Sequence, residues 1–338
     1  MAETKNIDKM AEWISNKIFT ELKWNIHPTR DVNWDCCLKT HDKKTHPTDV
    51  VFSYIDPYSG VKQYIQTDLK SYCKTSISIT RVRNAVKSLA LQVECANSSD
   101  DWNKLYRLDE SKFGLHGLLF IYNNDGDYDR DLLDNLKTLP QYNFSLPAES
   151  TVNVFSPRLI RFLLSVVQDI KDRRGIESYE SDASVWTKIA EHDECGFYYP
   201  DKQNKCADSF THHPASMPMI MSGMLLYCYE HPVHKKKVLN IFWDEEPNSH
   251  HHFIYLFEYI FNYQMLNMFE RIFVITPFST ESFTHFDVAT KIYKEQYAVT
   301  DYQEAKLDKV KLLNYENIKT EIYPHMVGNS EFTVRHLS

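Results

Sequence analysis

Two acidic residues and one lysine are spaced so that a β-hairpin would bring them together. Asp49 stands at the head of one predicted strand, and Asp68 and Lys70 stand at the end of the next. The segment Pro57–Gly60 between them has turn chemistry, because proline pre-sets one turn dihedral and glycine tolerates positive φ. Asp49 lies as many residues before this turn as Asp68 lies after it. The two would therefore face each other, with Cβ atoms about 4.5–5.5 Å apart.

This spacing predicts a metal-dependent hydrolytic centre. Two carboxylates at such a distance repel each other unless a cation lies between them. Oxygen ligands suit Mg²⁺ or Mn²⁺, and such an ion lowers the pKa of bound water and stabilises a phosphoryl oxyanion. Lys70 would add a fixed positive charge beside the reacting phosphate.

An acid-x-Lys tripeptide is by itself a weak signal. The same spacing recurs at Glu3–Lys5, Glu21–Lys23, Asp42–Lys44, Glu110–Lys112, Asp169–Lys171 and Glu304–Lys306. Only the tripeptide at Asp68 ends a predicted strand that pairs with a strand headed by another acid. The alternative is a surface hairpin with an Asp68–Lys70 ion pair, and exposed pairs of that kind contribute little to stability.

The elements that must position these residues can be read from hydrophobic periodicity. Strands at Val50–Ile55 and Val61–Lys70 form the hairpin, and their alternation puts Gln66, Asp68 and Lys70 on one face. Around the hairpin we predict a helix over 6–22, a short strand over Asp35–Lys39, a helix over Ser78–Ala96 and a central strand over Leu115–Tyr122.

The second half of the chain predicts another α/β region. A strand at Val152–Phe155 and a helix at Arg158–Arg173 are followed by the polar segment 174–215. Further elements are expected at Val238–Trp243, Phe253–Phe269, Arg271–Thr276 and Ser282–Tyr297, which would make a βαβ unit. With 338 residues, the chain suits two domains, which we assign to 1–150 and 151–338.

The element order and the paired acids resemble the PD-(D/E)XK, or restriction-endonuclease-like, nuclease superfamily over roughly residues 5–125. Thr48-Asp49 matches its proline-aspartate element, with Pro47 displaced by one position, and Asp68-Leu69-Lys70 matches its acid-x-lysine element. The resemblance implies an α/β fold with an αβββαβ core followed by the second α/β domain. It also implies Asp49 and Asp68 as ligands of Mg²⁺ or Mn²⁺, and Lys70 as the residue that positions or activates the attacking water.

The resemblance implies two further catalytic candidates. Many members add a glutamate from the first helix, and Glu21 lies on its inward stripe whereas Glu12 points to solvent, so Glu21 is chosen as a further metal ligand. Members also use a polar residue of the helix that follows the acid-x-lysine strand, which points to Gln92. The alternatives are an ordinary acid near a helix end for Glu21 and an exposed helix glutamine for Gln92.

Charge limits how the protein could hold nucleic acid. The formal net charge is −8, so a contact over the whole surface is excluded and a local patch is expected. Residues 61–90 carry six basic side chains against the single acid Asp68: Lys62, Lys70, Lys74, Arg81, Arg83 and Lys87. We assign nucleic-acid binding to Lys74, Arg81, Arg83 and Lys87; a solvated helix face is equally plausible.

Cysteine usage predicts a reducing, cytoplasmic location. The chain has seven cysteines without a disulfide framework, and no apolar run approaches the ~20 residues that span a bilayer. Cys195 and Cys206, with His192, His212 and His213 nearby, could bind zinc. Their spacing lacks the usual close cysteine pair, which favours a loop that faces solvent or a partner.

The expected function is a metal-dependent endonuclease or nickase that hydrolyses DNA, in bacterial restriction or anti-phage defence. RNA remains open as a substrate, since no feature of the sequence separates it from DNA. No RNA-binding module is recognisable. We also expect a partner protein or a homo-oligomer, and no membrane association. The alternative is a catalytically inactive nuclease-fold subunit that binds nucleic acid or a partner protein.

Overall fold

A computed structural model describes residues 2–107, 112–130, 132, 146–175, 189–200, 213–277, 279–297 and 300–315. One compact unit reaches from the N-terminus to Leu163, and a second begins at Leu164. Both contain helices and sheet, so the predicted mixed α/β class is confirmed. None of the described helices is long and apolar enough to span a bilayer.

The first unit contains helices α1–α3, strands β1–β7 and the start of helix α4. In chain order these are α1 Ala2–Glu21, β1 Asn25–Ile26, β2 Val32–Asp35, β3 Thr45–Thr48, β4 Val50–Ile55, β5 Lys62–Tyr72, α2 Ile79–Ala96, α3 Asp100–Tyr106, β6 Phe113–Asn123, β7 Val152–Phe155 and α4 Pro157–Gly175, with single 3-10 turns at Lys39–His41 and Lys74–Ser76.

The main sheet of this unit has the order β1-β4-β5-β6-β7. The β4–β5 hairpin has the predicted register, because Val50 pairs with Thr67 and Ile55 with Lys62. Its turn is closed by Asp56, whose Oδ1 accepts hydrogen bonds from the Ser59 amide at 2.8 Å and the Tyr58 amide at 3.1 Å. Strands β6 and β7 continue the sheet in parallel with β5.

Two helices cover opposite faces of this sheet. On one face, Phe19 of α1 packs on Phe52 with a ring separation of 4.4 Å. On the other face, α2 lies so close that a Cβ on Gly117 would be 3.0 Å from Leu89 Cγ and 3.1 Å from Val93 Cγ2. Burial of each large apolar side chain in these layers contributes roughly 1.5–3 kcal/mol. Asp68 is two residues after Gln66, which pairs with Val51, so its side chain lies on the α2 face.

The predicted strand Asp35–Lys39 is wrong. Instead β2 ends at Asp35 and pairs with β3 in a separate two-stranded ribbon, in which Trp34 faces His46. The chain turns directly after β2, where the Cys36 amide donates to the Lys44 carbonyl at 2.9 Å. On the side of β4 away from β5, the partner strand is β1. It has two residues and is too short to show an alternating pattern.

The second unit is built on its own sheet, in the order β12-β11-β10-β9-β8. Its elements after α4 are β8 Cys195–Phe197, α5 Met217–Met221, β9 Met224–Glu230, β10 Lys237–Trp243, α6 His250–Asn262, α7 Met265–Met268, β11 Arg271–Pro277, α8 Thr280–Tyr297, α9 Asp301–Leu307 and β12 Val310–Tyr315, with a 3-10 turn at His192–Glu194. Because β10, β11 and β12 are mutually parallel, the predicted βαβ unit is present as β10–α6–β11.

The predicted helix over Phe253–Phe269 is interrupted. Helix α6 ends at Asn262, and Gln264 adopts a left-handed conformation with φ 52° before α7 begins. The apolar side chains on both sides of the break are buried, including Phe257 and Leu266. Hydrophobic periodicity continued across the turn and therefore did not reveal it.

Candidate active site

Asp49 bridges two strands of the first unit. It occupies a bend between β3 and β4, and its carboxylate Oδ2 accepts a hydrogen bond from the Leu69 amide of β5 at 2.6 Å. Its own carbonyl accepts from the Asp31 amide at 3.0 Å. Both ends of the residue are thus fixed, and the side chain is directed at the segment that carries Asp68 and Lys70.

Asp68 and Lys70 complete a partly buried charged group. They lie on the same strand face, and Lys70 Nζ is in direct contact with Asp68 Oδ1. The Asp68 side chain is 12% exposed and that of Lys70 is 31% exposed. The Asp68 carboxylate is also close enough to Asp49 to raise its pKa. The structure therefore brings together the three residues that the sequence predicted.

The electrostatics of the group favour a bound cation. Burial and the neighbouring Asp68 carboxylate together raise the pKa of Asp49 to about 7, although the Leu69 amide and Lys70 act in the opposite direction. Burial alone would lower the pKa of Lys70, but Asp68 and Asp49 outweigh it and the net shift is upward. Two crowded carboxylates with hard oxygen donors fit a divalent ion such as Mg²⁺ or Mn²⁺.

A buried hydrogen-bond network supports the backbone segments that carry Asp49 and Asp68. The Gln66 Nε2 atom donates to Thr48 Oγ1 at 2.9 Å and to Gln92 Oε1 at 3.0 Å. The Gln66 Oε1 atom accepts from Trp102 Nε1 at 3.0 Å. Thr48 directly precedes Asp49, and Gln66 lies two residues before Asp68, so the network connects the backbones that carry both acids. Sequence reasoning missed these roles, although a glutamine on the same strand face as Asp68 and Lys70 was a usable signal.

Gln92 is part of this network. It is only 3% exposed, so the alternative of an exposed helix glutamine is wrong. Its contact is with Gln66 rather than with Asp68 or Lys70. A catalytic role for Gln92 stays a prediction, and the contact supports a positioning role.

The structure separates the two glutamates of α1. Near the C-terminal end of α1, Phe19 packs on Phe52, and Trp24, which follows the helix, stacks on Tyr54 at 4.8 Å. These contacts lie toward the end of β4 that is away from Asp49. Glu21 is buried there, as its place on the inward stripe predicts. Its role as a metal ligand stays a prediction.

Glu12 lies on α1 about 14 Å before Glu21 at 1.5 Å per residue. Its carboxylate pairs with Arg30, so the expectation that it points only to solvent is wrong. Arg30 is followed by Asp31, whose amide binds the Asp49 carbonyl. Of the two glutamates, Glu12 is therefore the one placed toward the Asp49 end of the sheet.

The predicted basic residues surround the start of α2 but do not share one face. Lys74 Nζ lies 3.4 Å from Asp129 Oδ1, and Arg81 Nη1 donates to the Ser76 carbonyl at 3.3 Å. Positions 81 and 83 are about 200° apart on a helix, so Arg83 shares its side with Lys87 rather than with Arg81. Lys74 also lines a cavity of about 480 Å³ next to the α2 N-terminus.

The loop that could bind zinc through Cys195 is only partly described. Cys206 and His212 lie outside the described residues. Cys195 begins β8, is buried, and contacts the hydroxyl of Tyr227. Its zinc binding stays a prediction.

Comparison with known proteins agrees with this geometry. A search of curated proteins found no match to the chain. Residues 1–158 match a family model described as the GAPS4 protein PD-(D/E)XK nuclease domain. The match includes the three charged residues and the sheet as far as β7, so the predicted resemblance is confirmed and extends beyond residues 5–125. Over residues 1–158 this chain is therefore similar to the PD-(D/E)XK nuclease domain of the GAPS4 protein.

Proposed function

We propose that the chain is a metal-dependent DNA endonuclease or nickase whose centre is formed by Asp49, Asp68 and Lys70. The observation that carries the proposal is the Asp49 carboxylate, which reaches across to β5 beside the Asp68–Lys70 pair. It does so within a domain that matches a nuclease family. Asp49 and Asp68 would hold Mg²⁺ or Mn²⁺.

The three side chains have separate tasks in this proposal. The ion supplies a bound water of lowered pKa and neutralises charge on the phosphoryl oxygens. Asp49, fixed by the Leu69 amide, and Asp68 would hold the ion through their carboxylate oxygens. Lys70 keeps its proton, because its pKa is raised, and provides fixed positive charge where the transition state becomes more negative.

DNA is the proposed substrate, and it would approach along the α2 N-terminus. Lys74 lines the cavity there and Arg81 lies in the first turn of α2, and helix N-termini favour phosphate groups. A protein of net charge −8 needs such a local contact. The similarity to the GAPS4 domain supports a role in anti-phage defence, in which a partner protein or a second copy would restrain activity.

The test is plasmid nicking by the purified full chain with Mg²⁺, Mn²⁺ or a chelator. We expect metal-dependent nicking by the wild type and a loss of at least about 100-fold in Lys70→Ala and in Asp68→Asn. The first variant loses a positive charge beside the transition state, and the second loses a ligand of the ion. Lys62→Ala is the matched control, since Lys62 is a lysine at the other end of the same strand. Equal nicking by Lys70→Ala and Lys62→Ala would refute the proposed centre, and a parallel RNA substrate separates the two nucleic acids.

The second candidate function is binding of nucleic acid or of a partner protein without cleavage. The net charge of −8 favours it, as does the direct contact through which Lys70 neutralises Asp68. Calorimetric titration with Mn²⁺ discriminates between the two functions. Binding that is lost in Asp49→Ala supports the catalytic centre, whereas no binding by the wild type supports an inactive nuclease fold.

A further inference from the structure

Four potential metal ligands converge away from the three charged residues of the proposed active site. They are Cys36, which directly follows β2; His41 of the turn after it; His46 of β3; and Cys95 near the end of α2. One ligand atom from each lies within 4.8 Å of all the others. His46 and Cys95 are fully buried, and His41 is nearly so.

Three of the six distances between ligand atoms in this cluster match tetrahedral zinc geometry, and the other three are at most 4.8 Å. Zn–S bonds of about 2.3 Å and Zn–N bonds of about 2.05 Å place tetrahedral ligand atoms about 3.8 Å (S–S), 3.6 Å (S–N) and 3.3 Å (N–N) apart. The observed separations are 3.7 Å between Cys36 Sγ and Cys95 Sγ, and 3.7 Å between Cys36 Sγ and His41 Nδ1. His41 Nδ1 and His46 Nε2 are 3.3 Å apart.

The surroundings of the cluster also resemble those of a metal site. His41 Nε2, the ring nitrogen other than the one near Cys36 and His46, lies 3.2 Å from Glu94 Oε2, close enough for an ion pair but without the angles of a hydrogen bond. A carboxylate in that position fixes the ring and its tautomer in zinc sites. The Cys37 amide donates to Cys95 Sγ at 3.2 Å, which stabilises a thiolate. Two thiolates and one Zn²⁺ sum to zero charge, which suits a buried location.

A disulfide explains the cluster less well. Cys37 Sγ and Cys95 Sγ are 3.4 Å apart, well beyond a bond length of about 2.05 Å. A Cys37–Cys95 disulfide would also leave unexplained why nitrogens of two buried imidazoles lie within 4.8 Å of the thiols of Cys36 and Cys95. We propose that Cys36, His41, His46 and Cys95 bind one structural Zn²⁺ ion, which ties the β2–β3 ribbon to α2.

Zinc content of the full chain tests this proposal. After dialysis against zinc-free buffer we expect about one zinc per chain in the wild type and loss of most of it in Cys95→Ser and His46→Gln. Glu94→Gln should weaken zinc affinity about 10–100-fold. Cys228→Ser is the control for loss of a buried thiol elsewhere, Cys37→Ser for the adjacent thiol, and Asp68→Asn for the catalytic centre. All three controls should retain zinc.

A spectroscopic measurement on the wild type avoids dependence on variants that fail to fold. Replacing zinc by Co²⁺ should give the intense visible bands of tetrahedral coordination and a thiolate charge-transfer band. The proposal is overturned by a wild-type Co²⁺ spectrum without those bands, or by zinc that is lost in Asp68→Asn but kept in Cys95→Ser. A Cys37–Cys95 disulfide, seen as a mass two hydrogens lower in unreduced protein purified with zinc, would also overturn it.

Discussion

At the scale of single residues, favourable and unfavourable electrostatic interactions oppose each other in the proposed nuclease centre. Asp49 is held by the Leu69 amide in a place where its charge is opposed by burial and by Asp68. Lys70 compensates for only part of that crowding. A divalent cation would remove the remaining repulsion, so metal binding and folding should be coupled through this side chain.

The first prediction concerns Asp49 and pH. Because the pKa of Asp49 rises from 3.8 to about 7 on folding, its contribution to stability is fully present below pH 4 and is lost as pH rises through 7. Without Mg²⁺ or Mn²⁺, Asp49→Asn should therefore raise the melting temperature more at pH 8.5 than at pH 5.5. The asparagine oxygen can still accept from Leu69. Thermal unfolding at the two pH values measures this.

The control for that prediction is the same pair of proteins with Mn²⁺. The ion should stabilise the wild type at pH 8.5 and stabilise Asp49→Asn much less. Identical pH dependence of the two proteins without the ion would show that the Asp49 carboxyl is not crowded.

At the scale of elements, α2 and β6 pack closely at Gly117. A Cβ there would lie 3.0 Å from Leu89 Cγ, closer than nearly all real Cβ contacts. We predict that Gly117→Ala lowers the free energy of unfolding by about 1–3 kcal/mol through overpacking. Urea denaturation measures the change.

A double-mutant cycle tests the physical reason for this effect. In a Leu89→Ala background the space opens, so Gly117→Ala should cost less than in the wild type. An equal cost in both backgrounds would assign the effect to backbone conformation instead of packing.

The sequence predicted the elements with strong local signals. The hairpin register followed from turn residues and strand alternation, and this was enough to place Asp49 against Asp68. The register of β1 and β2–β3 was not predictable in this way, because β1 has two residues and the chain turns directly after Asp35. The cysteine–histidine cluster was missed for a different reason. Cys95 is far from the other three residues in the sequence and joins them only through the packing of α2.

At the scale of the whole molecule, the negative net charge makes DNA binding depend on few contacts. We predict that Lys74→Ala/Arg81→Ala weakens DNA binding and reduces the slope of log affinity against log salt by about 2 in magnitude. The measurement is a titration at several salt concentrations, in an Asp68→Asn background so that DNA stays intact.

Lys291→Ala/Lys311→Ala in the second unit is the charge-matched control for this prediction. It changes net charge equally but alters residues that belong to the other sheet and its helix. Equal effects of the two double variants would mean that binding follows overall charge and that the α2 region is not the contact.

The second unit was predicted less completely than the first. Its βαβ unit was recognised, whereas β9 and β12 were not, because their short apolar runs carry no helix–strand distinction. The boundary at residue 150 stays a prediction, as do the partner and the oligomeric state.

The connectivity of the first sheet has a consequence for the order of folding. The β4–β5 hairpin closes through a four-residue turn, whereas the neighbouring pair β5–β6 must wait for the crossover that contains α2. Local pairings form before distant ones, so Asp49 and Asp68 would meet while still in water. Their repulsion would then grow only when α2 docks, late on the pathway. The repulsion should therefore mainly accelerate unfolding and leave the folding rate nearly unchanged.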